Sequence, residues 1–174
     1  LLVDGYRLHH IQWLQPQLTE TLPQYAARLS AQIKEPEPVL LGVSFGGMLA
    51  QEAAPLVNAR QTIIISSIQS PTHFPAYYHW ANRLKTTDWL PKRCYTTPNA
   101  FANYLFGTET AEDKKLLRHF MRNANSGFIK WALWAIINWK KEGVPKNLVH
   151  IHGTNDRIIP LPKGVNHTIA GGGH

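Results

Sequence analysis

The sequence predicts an α/β fold, a mostly parallel sheet flanked by helices, with a helical insertion between two strands. Three observations carry this. Short, continuously apolar runs recur at "VLLGVS", "TIIISSI" and "NLVHIHG", as in strands buried on both faces of a parallel sheet. Helical patterns alternate with them, as parallel crossovers require. The stretch from Pro71 to about Gly143 contains no convincing strand and reads as helical.

Taken in order, "YRLHHIQW" (Tyr6 to Trp13) alternates apolar and polar residues and predicts a half-buried strand. "QPQLTETLPQ" turns the chain, and Thr21 with Gln24 forms a capping box. Leu22, Tyr25, Ala26, Leu29 and Ile33 then follow at helical spacing, and "KEPEP" ends that helix. "VLLGVS" is the next strand, followed by a helix from Phe45 to about Val57. Thr62–Ile68 and Asn147–Gly153 are further strands, and His167–Gly171 is a fourth. Inside the insertion, "AEDKKLLRHFMRN" sets Leu116, Leu117, Phe120 and Met121 against Lys114, Lys115, Arg118 and Arg122. "GFIKWALWAIINWKK" is apolar nearly all round, which favours burial over an interfacial membrane helix. Residues 1–70 and 144–174 thus form the sheet-bearing core, and residues 71–143 a helical cap. Tyr77, Tyr78, Trp80 and Trp89 of the insertion either pack it on the core or wall a pocket.

Composition bounds the function. With 174 residues, 44% hydrophobic and 17% charged, the chain is long and apolar enough for a folded core. No apolar run reaches the roughly 18 residues of a membrane span. The single Cys94 points to a reducing, cytoplasmic setting. The net charge of +7 is spread along the chain, with Lys140-Lys141 its longest run. That argues for a solvated surface and against nucleic-acid binding, which clusters its cations.

The chemistry centres on "GVSFG". A G-x-S-x-G pattern between strand and helix puts Ser44 on a sharp turn, its hydroxyl lifted above the sheet edge. Crowding around the turn accounts for the flanking Gly42 and Gly46. The N–H of Phe45, at the helix start, is positioned to stabilise an oxyanion. A serine needs a base, and the base an orienting acid, in the chain order Ser, Asp or Glu, His. Asp156 follows the third strand, where its other reading is an Asx turn closing that strand. "SSIQSPTH", after the second strand, offers no carboxylate. His174 ends the glycine-rich "IAGGGH". The other eight histidines read as surface or packing residues, His152 least securely because it lies near Asp156.

"LLGVSFGGMLAQE", "IHGTNDRIIP" and "IAGGGH", in this order, resemble an α/β-hydrolase superfamily serine hydrolase of the esterase/lipase type. The resemblance covers most of the chain from Tyr6 onward. It implies the α/β-hydrolase fold with a helical cap, Ser44 as nucleophile, His174 as general base and Asp156 as orienting acid. It also implies a small-molecule acyl substrate, with no cofactor and no metal. Acyltransferases, thioesterases, amidases and C–C hydrolases share such a triad, and a non-catalytic binding module shares such a fold. Family members carry earlier strands with a glycine-rich oxyanion loop, and a helix after the histidine. Neither is found here, so the expectation is a chain lacking its N-terminal strands and C-terminal helix, with Phe45 the one legible oxyanion donor.

Overall fold

The computed structural model describes residues 5–75, 78, 80, 83, 91, 97, 99–108, 110–141 and 143–174; Tyr77, His79, Trp89 and Cys94 lie outside them. Among the described residues four parallel strands, β1 (Val39–Val43), β2 (Gln61–Ile65), β3 (Leu148–Gly153) and β4 (His167–Ile169), lie in the order β1-β2-β3-β4. Register pairs Val43 with Ile65, and Ile65 with Ile151. The C-terminal ends of β1 and β3 therefore flank that of β2, and the residues that follow each strand share one rim.

Helix α1 (Leu22–Ser30) starts where the capping box predicts. Gln24 Oε1 accepts from the Thr21 N–H at 2.9 Å and from the Thr21 hydroxyl at 2.8 Å. Its buried face is Leu22, Tyr25, Ala26 and Leu29. The helix stops short of Ile33 and well before Pro36. The Gln32 and Ile33 N–H groups take carbonyls only three residues back, which tightens the last turn.

Residues 6–13 form no strand. The periodicity is that of an extended chain, but a strand needs a ladder, and the backbone of Gln12 and Leu14 is bonded instead by side chains of and just beyond α1. The Gln32 amide both donates to the Gln12 carbonyl and accepts from its N–H, each at 3.0 Å. The buried Tyr25 hydroxyl does the same for Leu14, at 2.7 and 3.0 Å. Leu8 and Tyr6 stay exposed, while Ile11 and Leu14 pack on the core.

Helix α2 (Phe45–Ala53) connects β1 to β2 and packs on both strands and on α1. β1 departs from the expectation of a strand covered on both faces. It sits at the edge of the sheet formed by the described residues, and Leu41 and Val43 are more than half exposed. The insertion contributes α3 (Ala100–Leu105), α4 (Ala111–Asn123) and α5 (Ser126–Ile137). α4 begins on a Thr110–Asp113 capping box and buries no residue. α5 is less enclosed than its composition suggests: only Ala132 and Ala135 are fully covered. Its indoles anchor it by their polar edges. Trp131 Nε1 donates to the Glu20 carbonyl, and Trp139, just past the helix, donates to Glu52, both at 2.8 Å. Through Ala135 and Trp139 this end of the insertion joins the cluster of Leu22, Tyr25, Met48 and Ile68. Among the described residues no helix is long and apolar enough to cross a membrane.

Candidate active site

Ser44 is the residue between β1 and α2. Its backbone takes φ 51° and ψ −120°, a region that costs a non-glycine residue on the order of 1–3 kcal/mol and persists only where the surroundings impose it. The surroundings are visible. The Ser44 N–H extends the ladder to the Ile65 carbonyl at 2.8 Å. Its own carbonyl accepts from Gly47 N–H at 2.9 Å and from the buried Ser67 hydroxyl at 2.8 Å. A Cβ on Gly42 would lie 2.2 Å from the Gly46 carbonyl oxygen, and one on Gly47 would lie 2.6 Å from Ser67. The crowding argument therefore holds for Gly42 and Gly47 but not for Gly46, where a Cβ would meet open space. Gly46 lies across the turn from Gly42, and it is Gly46's backbone, not its missing side chain, that fills the gap.

Phe45 is the first residue of α2, so its N–H has no acceptor within the helix. Its ring is held away from the turn by Trp13 and by Trp131 of α5, at centroid distances of 6.1 and 5.8 Å. That leaves the N–H beside Ser44 as a donor for a developing negative charge.

Asp156 and His174 come from the ends of β3 and β4. The glycines that place them are in contact: a Cβ on Gly153 would stand 2.3 Å from the Gly172 carbonyl oxygen. Asn155 N–H donates to that same oxygen at 2.9 Å, drawing the loop that carries His174 over the end of β3. The three sequence-predicted side chains meet. His174 Nε2 lies 2.8 Å from Ser44 Oγ, and His174 Nδ1 lies 2.7 Å from Asp156 Oδ2. Asp156 Oδ1 accepts from the N–H groups of Ile158 and Ile159 at 2.9 and 2.8 Å. The Asx turn and the contact with His174 are thus not rival readings, since one carboxyl oxygen makes each. The Phe106 ring, just past α3, stands edge-on to His174 at 5.9 Å. Tyr78, one of the insertion aromatics, stacks on Phe74 at 4.7 Å and reaches the Ile158 carbonyl. Trp80 is largely exposed.

Two residues were missed from the sequence. His150 and His152, on β3, are completely buried behind Asp156. His152 Nε2 is 2.8 Å from the Ile159 carbonyl and 3.3 Å from Asp156 Oδ2, and its Nδ1 is 3.1 Å from His150 Nε2. Burial pushes His152 down, but the Asp156 hydrogen bond, the Ile159 carbonyl and the Asp156 charge together carry it above its ordinary value. Burial and the neighbouring His152 push His150 down to about 4. The "HIH" alternation was the available signal: both histidines fall on the same face of one strand.

Burial pushes the Asp156 carboxyl up. Hydrogen bonds from His152, His174 and the Ile159 N–H, with the His174 charge, outweigh this and hold it well below the usual carboxylate range. A carboxylate depressed in the folded state stabilises the fold above its unfolded pKa of about 3.9 and loses that contribution as pH falls toward the folded value. The gap in Tm between wild type and Asp156→Asn is therefore expected to be full near neutrality and to shrink below about pH 4. Thermal denaturation in a pH series measures it, and a gap that stays constant down to pH 3 would contradict the assignment.

A family model described as the alpha/beta hydrolase family matches residues 5–174. No curated protein matches the chain. Among solved structures, the chain is similar to a thermophilic esterase, at 18% identity and a TM-score of 0.61, over 91% of this chain and 67% of that one. It is similar to a hydrolase from Pseudomonas aeruginosa PA01, at 14% identity and a TM-score of 0.63, over 91% of this chain and 67% of that one. It is also similar to the N-acyl homoserine lactonase AidH, at 14% identity and a TM-score of 0.54, over 88% of this chain and 63% of that one. The chain thus spans about two thirds of the length of each, and at these identities the likeness is one of fold.

Proposed function

The chain belongs to the alpha/beta hydrolase family, and from that premise we propose that it is a serine hydrolase cleaving an ester or related acyl bond of a small molecule through Ser44, His174 and Asp156. The observation that carries the proposal is the unbroken line of contacts, 2.8 Å from Ser44 Oγ to His174 Nε2 and 2.7 Å from His174 Nδ1 to Asp156 Oδ2. Asp156 accepts a hydrogen bond from the Nδ1–H, which stays on the ring, and so leaves Nε2 as the acceptor for the serine proton. Ser44 Oγ then attacks the acyl carbon, and the carbonyl oxygen takes the negative charge beside the Phe45 N–H. The imidazolium gives its proton to the leaving group, and the acyl chain stays on Ser44. Water, deprotonated by His174, attacks this ester, and the serine oxygen leaves with the proton. Two of the fold neighbours are named an esterase and an N-acyl homoserine lactonase, names in keeping with this substrate class.

We place α3 and the turn after it over this rim, as part of a cap. Phe106 against the His174 ring supports the placement, as does Arg157 Nη1, which donates to the Tyr104 carbonyl at 2.9 Å.

A fluorophosphonate probe tests the reading. The reagent needs an activated serine and an oxyanion site but no knowledge of the substrate. The expected result is one adduct, mapped by peptide mass to Ser44, and none on Ser44→Ala. A folded protein that takes up no probe would be a binding module on this fold.

A further inference from the structure

His152 is buried, contacts the proposed catalytic acid, and has no part in the reaction just described. Its proton position is fixed by its neighbours. Nε2 faces two atoms that only accept, the Ile159 carbonyl oxygen at 2.8 Å and Asp156 Oδ2 at 3.3 Å. Nε2 therefore carries hydrogen in either charge state; that N–H donates to the Ile159 carbonyl and faces the Asp156 Oδ2 charge across 3.3 Å. Nδ1 meets His150 Nε2 at 3.1 Å, so the two rings hold one hydrogen between them there. His150 Nδ1, at the far end, has no well-formed partner among the described residues.

The oxygen that His152 reaches is the one that holds His174. Asp156 Oδ1 is occupied by the Ile158 and Ile159 N–H groups, which already fix the carboxylate plane. Oδ2 alone is shared, between His174 Nδ1 at 2.7 Å and His152 Nε2 at 3.3 Å. An N–H facing this oxygen beside the His174 donor draws on the same negative charge and lowers what is left for the His174 bond.

We propose that His152 is a positioning residue that acts through Asp156, drawing charge from Oδ2 and so limiting how tightly the acid holds the His174 Nδ1 proton. This rests on the triad reading of Ser44, His174 and Asp156. The sharing leaves the imidazolium free enough to pass its proton to a leaving group, while Ile158 and Ile159 keep the carboxylate aimed.

The test is the proton resonance of the Asp156–His174 hydrogen bond, identified by its loss in His174→Ala. In His152→Leu, which removes the donor, the resonance is expected to move downfield as Oδ2 becomes a stronger acceptor for His174. In His152→Gln, whose amide restores a donor, it is expected to stay near the wild-type position. If the leucine variant does not fold, His152→Met fills the same space without a donor and takes its place in the comparison. An unmoved resonance in the donor-free variant would overturn the proposal, and so would equal movement in the glutamine variant. A structural role would lower Tm in every variant without this ordering. The readout needs no turnover. A moved resonance in a protein that no fluorophosphonate labels would sink the hydrolase reading and leave this inference standing, and labelling with an unmoved resonance would do the reverse.

Discussion

Replacing Ser44 by alanine is expected to lower kcat on a short p-nitrophenyl ester by about 10⁴-fold or more, to what the remaining polar groups of the site supply. The hydroxyl stands 2.8 Å from His174 Nε2, where it can lose its proton and carry the acyl group. His174→Ala should cost about as much, because the serine proton then has no acceptor. The double variant should lose little more than either single change, since the residues act as a unit. Purified proteins assayed side by side on one ester decide this. Turnover that survives Ser44→Ala would remove serine catalysis, and losses that multiply in the double variant would remove the coupling.

Gly153→Ala should cost about 10²-fold in kcat without touching a reacting atom. Its Cβ would meet the Gly172 carbonyl oxygen at 2.3 Å and the Gly173 carbonyl oxygen at 2.7 Å. Both are backbone, so no rotamer relieves the clash, and the loop must lift. A displacement of about 1 Å at a reacting group is enough for a 10²-fold loss. His174 follows Gly173 directly, so the lift is delivered to the imidazole. Kinetics beside a melting curve separate this from unfolding: the variant should retain a cooperative transition while kcat falls. Full activity in Gly153→Ala would mean that contact with β3 does not set the position of His174.

The parts of this molecule that were legible in its sequence are those where one physical demand acts on neighbouring residues. Ile63, Ile64 and Ile65 must fill a sheet interior, and they read as a strand. Thr21 and Gln24 satisfy a helix start, and they read as a cap. Ser44 stood out because its strained turn needs backbone room that Gly42 supplies from two residues away. What stayed illegible depends on which surfaces meet. Tyr6 to Trp13 alternates like a strand, yet its end is taken up by Gln32, far along the chain, and not by a ladder partner. Leu41 and Val43 read as buried from both sides because their apolar character says nothing of which faces are covered. His150 and His152 read as surface or packing residues, His152 less securely for lying near Asp156. Only the packing of the acid loop over β3 makes them a buried pair behind Asp156.

The two contacts of His174 differ in how much chain they close. Its bond to Asp156 spans 18 residues, and its bond to Ser44 spans 130. The first can form once β3 and β4 pair, an event of short loop closure. The second must wait until β2 finds β3, with the whole of residues 66–147 looped out between them, and closures of that length are the slow ones. In refolding from denaturant, the base would meet its acid before it meets its serine. Probe uptake at Ser44 then marks the last step of assembly, and it would lag behind any signal that reports only the pairing of β3 with β4.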